Sequence, residues 1–516
     1  MSSRREFLKG ATTAVAATAA FSAVAGTAMA DEAAADYTCD VVIAGAGVGG
    51  LAAAVAAVEE GANVILVEAS AKVGGTSRFA AGAFGPRFGE TWEATYAKVP
   101  LSDEKLGKAV LENWVTTINW IKYDLGLTAE PLAEGSSYTW MGGKRPAEQG
   151  SKSYTDEYLQ QFGQVFVDKG GVLLTSTKAV EIVLGEDGTP CGLVCATAEG
   201  NITIAAKQVV IATGGFQANK EMMERYLGRW ASVSQAQCVP YLDGTGIIMA
   251  EKAGAKLSKS FGSFYGHPQP WPQTSICKFD TPEAYEACEN IDDVHVAYYG
   301  GTPHAIQTLG FYTNCAGKRF VNESLTSSLV NQEIMQQLYA RAYLFFDQAA
   351  RDIMDVTPYC MTAVEGGSRV QWMIDHGCPV FQADTIEELA ALVQGQSVGG
   401  TYFNAGNFVK TAAEWNEAVA NGTTMDLEVS IASGYPLTTP PFYCIPVTAG
   451  VMATFGGIQI NADAQVIGLN DEPIANFWAV PGAAGGIMQG DYWCVMSGYT
   501  VFGRIAGINA AKAALA

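Results

Sequence analysis

The chain has 516 residues, 49% hydrophobic and only 16% charged, with 57 glycines. That is enough apolar sequence for a large core and at least two domains, and it excludes a disordered chain. The formal net charge of −21 would repel a phosphate backbone over most of the surface, so no nucleic-acid partner is expected. Eleven cysteines are scattered, "CGLVC" (Cys191 to Cys195) stands alone, and neither a CxxCH haem box nor a paired CxxC occurs. They read as small core hydrophobes, and no metal is expected.

In chain order, "SRREFLK" (Ser3 to Lys9) places adjacent arginines before an Ala-rich run that ends in "AMA" (Ala28 to Ala30). This has the form of a twin-arginine export signal over residues 1–30, predicting a periplasmic or cell-surface protein that folds around its cofactor before export. The next block is "CDVVIAGAGVGGLAAAVAAVEEGANVILVEAS". It reads as a strand (Val41 to Ala44), a G-x-G-x-x-G turn at Gly45, Gly47 and Gly50 with Gly49 inside it, an Ala-rich helix, a second strand and an acid at Glu68. The glycines let backbone amides and a helix N-terminus approach a pyrophosphate, and the carboxylate suits ribose hydroxyls.

The loop that follows, "ASAKVGGTSRFAAGAFG", is too long and too small-residued for an ordinary connection and suits a chain laid against a flavin, so FAD is expected rather than NAD. "QVVIATGGFQAN" and "FWAVPGAAGGIMQG" are further glycine-rich strand ends, far apart in sequence, implying one binding domain assembled from distant segments. The expected FAD contacts are Gly45, Gly47, Gly49, Gly50, Glu68, Gly75, Thr76, Ser77, Gly82, Val180, Ala212, Thr213, Gly214, Gly485 and Gly486.

From Asp40 onward, the blocks "GAGVGGLAAA", "GGTS", "ATGGF", "GKRFVNE", "PPFYCIPVTAGVMATFGGIQIN" and "VFGRIAG" resemble the flavoprotein family of soluble fumarate reductases, urocanate reductases and 3-ketosteroid dehydrogenases. The resemblance implies an α/β protein: a Rossmann-type FAD-binding domain (36–298 and 446–516) interrupted by an α+β capping domain (299–445), with substrate held between cap and flavin. "LDGTGIIMAEKAGA" departs from the family at Thr245, where members usually have Asp.

In the fumarate reductases an arginine donates the proton that completes hydride addition, and Arg351 in "LFFDQAAR" matches it; Glu323 matches a relay acid. A salt bridge of Arg351 to nearby Asp347 or Asp352 stays open as the alternative. Past Glu323 the family carries a second relay arginine or a catalytic tyrosine, but this chain reads "ESLTSS", leaving only the hydroxyls of Thr326 or Ser327.

Where dicarboxylate reductases carry a pair of histidines, this chain has Met452 and Ala453, and the arginine that pairs with the substrate carboxylate is missing before Arg504. A carboxylate buried without a partner costs several kcal/mol, so a small dicarboxylate is not expected. The expected pocket is Met452, Ala453, Thr454, Phe455 and Trp493, with Met488 and Met496 nearby and Tyr492 polarising a substrate carbonyl; packing as a core tyrosine is the alternative for Tyr492. Tyr298 and Tyr299 are weaker candidates on the cap side.

These readings point to an exported FAD-dependent reductase of an activated C=C bond, enone or acrylate-like, in an aromatic or steroid-like substrate. The alternatives are a dehydrogenase that places a C=C next to a ketone and a non-catalytic flavin electron carrier. With no haem box or flavin-carrying extension in the sequence, electrons are expected from an external partner, a membrane-anchored cytochrome or other redox protein.

Overall fold

The computed structural model describes residues 35–80, 82–131, 139–141, 154–272, 281–287, 307–356, 368–375, 377–395, 397–398, 401–422 and 434–516. The expected export signal, Tyr298, Tyr299 and the expected boundary at 298/299 lie outside these residues.

The first strand, β1 (Tyr37–Ala44), is joined through α1 (Val48–Glu59) to β2 (Val64–Val67), which runs parallel to it with Val41 opposite Val64. Val41, Val42, Ile43 and Ala44 are fully buried, as a parallel strand covered on both faces requires, which is why this stretch is continuously apolar rather than alternating. Next come β3 (Val172–Leu174), beside β2, and then an antiparallel meander of β4 (Lys178–Leu184), β5 (Pro190–Thr197) and β6 (Gly200–Ile211) that ends parallel to β1.

The cap contains β7 (Phe311–Thr313), α2 (Ser327–Met335), β8 (Arg341–Asp347), α3 (Gln348–Val356), β9 (Phe381–Ala383), α4 (Ile386–Gln394), α5 (Ala405–Asn421) and β10 (Phe442–Thr448). Its sheet is antiparallel: β8 pairs with β7 on one edge and β10 on the other, and β9 adds to β10. Alternate residues of β8 serve two cores. Tyr343 and Phe345 pack with Leu389, Phe408 and Trp415 under α4 and α5. Leu344 and Phe346 join Ile334 of α2 and Phe216 and Met223 of the FAD domain. The expected boundary at 445/446 falls inside β10, whose last residues pair with Gln269–Pro270, so the two domains share this strand's hydrogen bonding.

The chain returns through β11 (Gln465–Ile467) and β12 (Pro473–Ala479) to the long helix α6 (Val495–Leu515). The main sheet then has the order β11-β12-β6-β1-β2-β3, parallel except for β11. Helices α1 and α6 pack backbone to backbone: a Cβ at Gly503 would sit 2.1 Å from the Gly49 carbonyl oxygen, and one at Gly507 2.1 Å from that of Ala53. The Ala and Gly content of both helices is what permits this approach, and it anchors the C-terminal segment against the dinucleotide turn. No described helix is long and apolar enough to cross a membrane.

Candidate active site

A continuous cavity runs from the N-terminus of α1 across the ends of the parallel strands to the turn after β10. At its first end Gly45 adopts φ +101°, and a Cβ there would lie 2.5 Å from the Ala212 carbonyl oxygen, so only glycine fits between β1 and the end of β6. Gly47 is different. A Cβ at Gly47 would meet nothing nearer than Ser77 Oγ at 4.0 Å, because that side faces the cavity. Gly47 is also the N-cap of α1 and offers no side-chain cap, and the first turn holds no acid, so beyond the Val48 amide, which donates to Ser77 Oγ (3.4 Å), this helix start is open to an anion. Glu68 is buried and accepts hydrogen bonds from the amides of Ala46 (2.7 Å) and Ser70 (2.9 Å), while burial pushes its carboxyl up. Open space before Gly47, the uncapped N-terminus of α1 and a fixed acceptor at Glu68 fit the pyrophosphate and adenosine ribose of FAD. Thr76 accepts from the Val239 amide (3.0 Å), and the Lys178–Asp243 ion pair (2.5 Å) closes the same end. Thr245, at the family's usual Asp position, donates to Asp243 (2.6 Å).

The other end of the cavity is lined by Met452, Ala453, Thr454, Met496, Tyr265, Tyr492, His267, Ser327 and Arg87. The rings of Tyr265 and Tyr492 stack with centroids 4.4 Å apart. The Arg87 guanidinium sits 5.7 Å from the Tyr492 ring centroid and forms no ion pair with a described carboxylate. His267 is buried; its Nε2 lies 3.0 Å from the Tyr265 hydroxyl and its Nδ1 2.9 Å from the Ser327 hydroxyl. Burial, helped by the Arg87 charge, pushes the imidazole down to about 3, so it is neutral at physiological pH. Burial pushes the Tyr492 phenol up to about 12 against the pull of Arg87, so it stays a hydroxyl donor. No hydrogen bond engages that hydroxyl among the described residues, and its ring lines the cavity.

The model of the FAD binding domain family matches residues 40–493. The chain belongs to that family. This flavoprotein is 27% identical over 501 residues to a probable fumarate reductase, Ifc3, of Shewanella frigidimarina, covering 93% of this chain and 76% of the relative. It is 23% identical to a vinyl phenol reductase of Lactiplantibacillus plantarum, covering 92% and 96% of the two chains. Among solved structures, the open conformation of a flavocytochrome c3 fumarate reductase superposes with a TM-score of 0.65 at 25% identity, over 94% of this chain and 80% of that one. The flavoprotein is an FAD-dependent oxidoreductase acting on CH–CH groups, of the kind that reduces C=C bonds.

Of the residues expected from sequence, Gly45, Gly47, Gly49, Glu68, Gly75, Thr76, Ser77, Gly82, Ala212, Thr213 and Gly214 line the flavoprotein's cavity, as do Met452, Ala453, Thr454 and Tyr492. Others do not reach it. Gly50 packs against Gly45, where a Cβ would lie 1.8 Å from the carbonyl oxygen. Val180 is not in the cavity wall, although Thr177, Lys178 and Ala179 just before it are. Gly485 is packed behind the wall, a Cβ there lying 2.3 Å from Ser258 Oγ; Gly482 lines the cavity in place of Gly485 and Gly486. Phe455 and Trp493 are core side chains, the indole of Trp493 donating to the Ile487 carbonyl (2.9 Å).

The expected proton donor and relay acid also stand elsewhere. Arg351, on α3, bonds the Tyr443 hydroxyl (3.0 Å), faces Asp355 (3.6 Å) and lies outside the cavity lining. Its ionic partner is one helical turn on, not Asp347 or Asp352; Asp347 instead accepts from the amides of Ala350, Thr438 and Thr439. Glu323 is buried against Arg319, whose Nε lies 3.0 Å from each carboxylate oxygen, and accepts from the Tyr312 amide (2.9 Å). Thr326 caps α2 and donates to Asp491 (2.8 Å). Arg87, Tyr265 and His267 were not singled out by the sequence. The usable signals were an arginine set in "GPRFG" directly after the flavin loop, and one of only four histidines lying two residues after a tyrosine in "YGH".

Proposed function

We propose that the flavoprotein reduces the C=C bond of an enone or acrylate-like substrate with an aromatic or steroid-like apolar body, and does not serve small dicarboxylates. One observation carries this reading. Among the described residues at the substrate end of the cavity, Arg87 is the only charged side chain; the rest of the wall is thioether, methyl and phenol, with the neutral imidazole of His267 and the hydroxyls of Ser327 and Thr454. One cation matches one carbonyl or carboxylate, whereas a second carboxylate would be buried without a cationic partner. Bound FAD supplies the hydride. The chain's own groups hold the substrate: the free hydroxyl of Tyr492 accepts the task of binding the carbonyl oxygen as negative charge develops on it. Residues 1–30 support export by the twin-arginine route, and an exported reductase takes its electrons from an external donor, a membrane-anchored cytochrome or other redox protein.

The test is anaerobic turnover with reduced viologen against benzylideneacetone, cinnamate, 4-androstene-3,17-dione and fumarate. Oxidation of the dye by one or more of the first group, with fumarate poor, is the expected result. Fumarate as the best acceptor overturns the substrate class, and flavin that no acceptor in the panel reoxidises favours an electron carrier.

A further inference from the structure

The charges that line the cavity are unevenly spread. Glu68 and the Lys178–Asp243 pair stand at the adenosine end, and among the described residues Arg87 alone is charged at the substrate end. Its backbone is fixed: the Arg87 amide donates to the Trp493 carbonyl (3.0 Å), and the Ser497 hydroxyl donates to the Gly85 carbonyl (3.2 Å). These bonds strap the Arg87 loop to the segment that carries Tyr492, so guanidinium and phenol approach the cavity from one piece of wall. The Arg87 side chain is exposed and bonds no described residue; its contacts are the ring faces of Phe88 and Tyr492. Asp491, the acid next to Tyr492, is buried and already accepts from the Thr326 hydroxyl (2.8 Å) and the Tyr492 amide (2.7 Å). The guanidinium charge is felt across this end of the cavity, pulling the Tyr492 phenol down against burial and adding to the fall of the His267 imidazole.

We propose that Arg87 is the specificity-determining residue of this site, selecting aryl-acrylates, whose C=C bond is conjugated with a single carboxylate, over neutral enones of the same shape; this rests on the reductase reading given above. A guanidinium presents a planar fork of N–H donors that matches the two oxygens of a carboxylate, and such charge-assisted pairs are roughly twice as strong as neutral hydrogen bonds. A ketone has one acceptor oxygen and no charge. The Tyr492 hydroxyl is enough to hold it, and its entry strips water from the guanidinium with no anion to replace that water. A carboxylate engages both donors at once, while its aryl body lies on the methyl and thioether of Ala453 and Met496. A second carboxylate meets no second cation among the described residues, so the group that selects a monoacid gives a small dicarboxylate no further hold.

The test uses FAD-loaded protein and two acceptors of nearly equal shape, cinnamate and benzylideneacetone, which differ in ending on a carboxylate or a methyl ketone. Viologen-dependent turnover gives kcat/KM for each, and calorimetric titration of the oxidised protein gives each affinity without turnover. Wild type should favour cinnamate in both measurements. Arg87→Met keeps the aliphatic length without the charge and should lower the cinnamate-to-benzylideneacetone ratio by ~10–10²-fold, the range of a hydrogen bond to a charged group. Arg87→Lys, which keeps the charge without the fork, should recover part of that ratio. Added salt should narrow the wild-type ratio and leave that of Arg87→Met unmoved. An Arg87 that only supports the fold would depress both acceptors together; an unchanged ratio in Arg87→Met, or wild type that binds the ketone as tightly as the acid, overturns the assignment. Cinnamate binding that depends on Arg87, with no reoxidation by either acceptor, defeats the reductase reading and leaves the carboxylate site standing. Wild type that neither binds cinnamate nor is reoxidised by it overturns both.

Discussion

Arg319 and Arg351 of the cap and Arg87 of the FAD domain are held in opposite ways. In the cap, Arg319 is buried against Glu323 and over the Trp415 ring, and Arg351 is tied to Tyr443 and Asp355. In the FAD domain, Arg87 has only the rings of Phe88 and Tyr492 for company. A guanidinium already matched by a carboxylate contributes to the rigidity of its own domain, whereas an unmatched one projects its charge into the cavity it lines. The chemistry of the site therefore follows from which charges the fold leaves uncompensated, and motif position alone does not reveal that.

The comparison is broken most completely by removing what both domains serve. Gly47→Leu places a branched side chain in the open space before the α1 amides, and the purified variant should lack the visible flavin spectrum altogether. Flavin retained at one per chain would mean that the pyrophosphate lies elsewhere. Next in size is Glu323→Gln. Arg319 and Glu323 side chains are 2% and 4% exposed, so this substitution leaves a buried guanidinium uncompensated. Denaturant unfolding should show a loss of about 3–5 kcal/mol, the usual result of breaking a buried pair from one side. Turnover of the folded fraction should stay close to wild type, which a relay acid could not allow.

How much of this was legible follows the same division. The dinucleotide turn is readable because its requirements fall on the main chain: Gly45 and Gly50 are demanded by backbone geometry, and geometry of that kind leaves a fixed spacing in the sequence. The substrate end leaves none. It is assembled from Arg87, Tyr265 and His267, Ser327, Met452 and Ala453, and Tyr492, contributed by separate segments, and only family resemblance pointed to Ser327, Met452, Ala453 and Tyr492. The motif around Arg351 spans the junction of β8 and α3, and the face of α3 that Arg351 occupies depends on packing against β10. The i,i+4 pairing with Asp355 was there to be seen once a helix was assumed. Within the cap, the apolar run Ala342 to Phe346 of β8 suits a strand buried on both faces, yet its division between two cores depends on the helices above and below it.

Tyr492→Phe sharpens the contrast inside the cavity. The ring would keep its stacking on Tyr265 and its place beside Arg87, while the free hydroxyl is lost. A drop in turnover on the order of 10²–10³ is expected if that donor acts on developing charge at the carbonyl. Because the hydroxyl bonds no described residue, stability should change little. Lost stability with unchanged turnover would make Tyr492 a packing residue.

The smallest effect is expected from Arg351→Met, and for that reason it separates the two arginine environments most directly. The guanidinium is on a helix surface, with its side chain 16% exposed and Asp355 25% exposed, and its partners all belong to the cap. Methionine keeps most of the aliphatic length and loses a hydrogen bond to Tyr443 together with a partly solvated ion pair. Pairs of that kind contribute up to about 1 kcal/mol, so a slight fall in melting temperature is the expected stability change. Since Arg351 lies outside the cavity wall, reoxidation by an enone should fall far less than the ~10²-fold minimum that loss of a positioned acid produces. Rapid-reaction traces at matched FAD content would measure this directly. A loss of that size or more would show that Arg351 delivers the proton and require the cap to bring the guanidinium into the cavity during turnover.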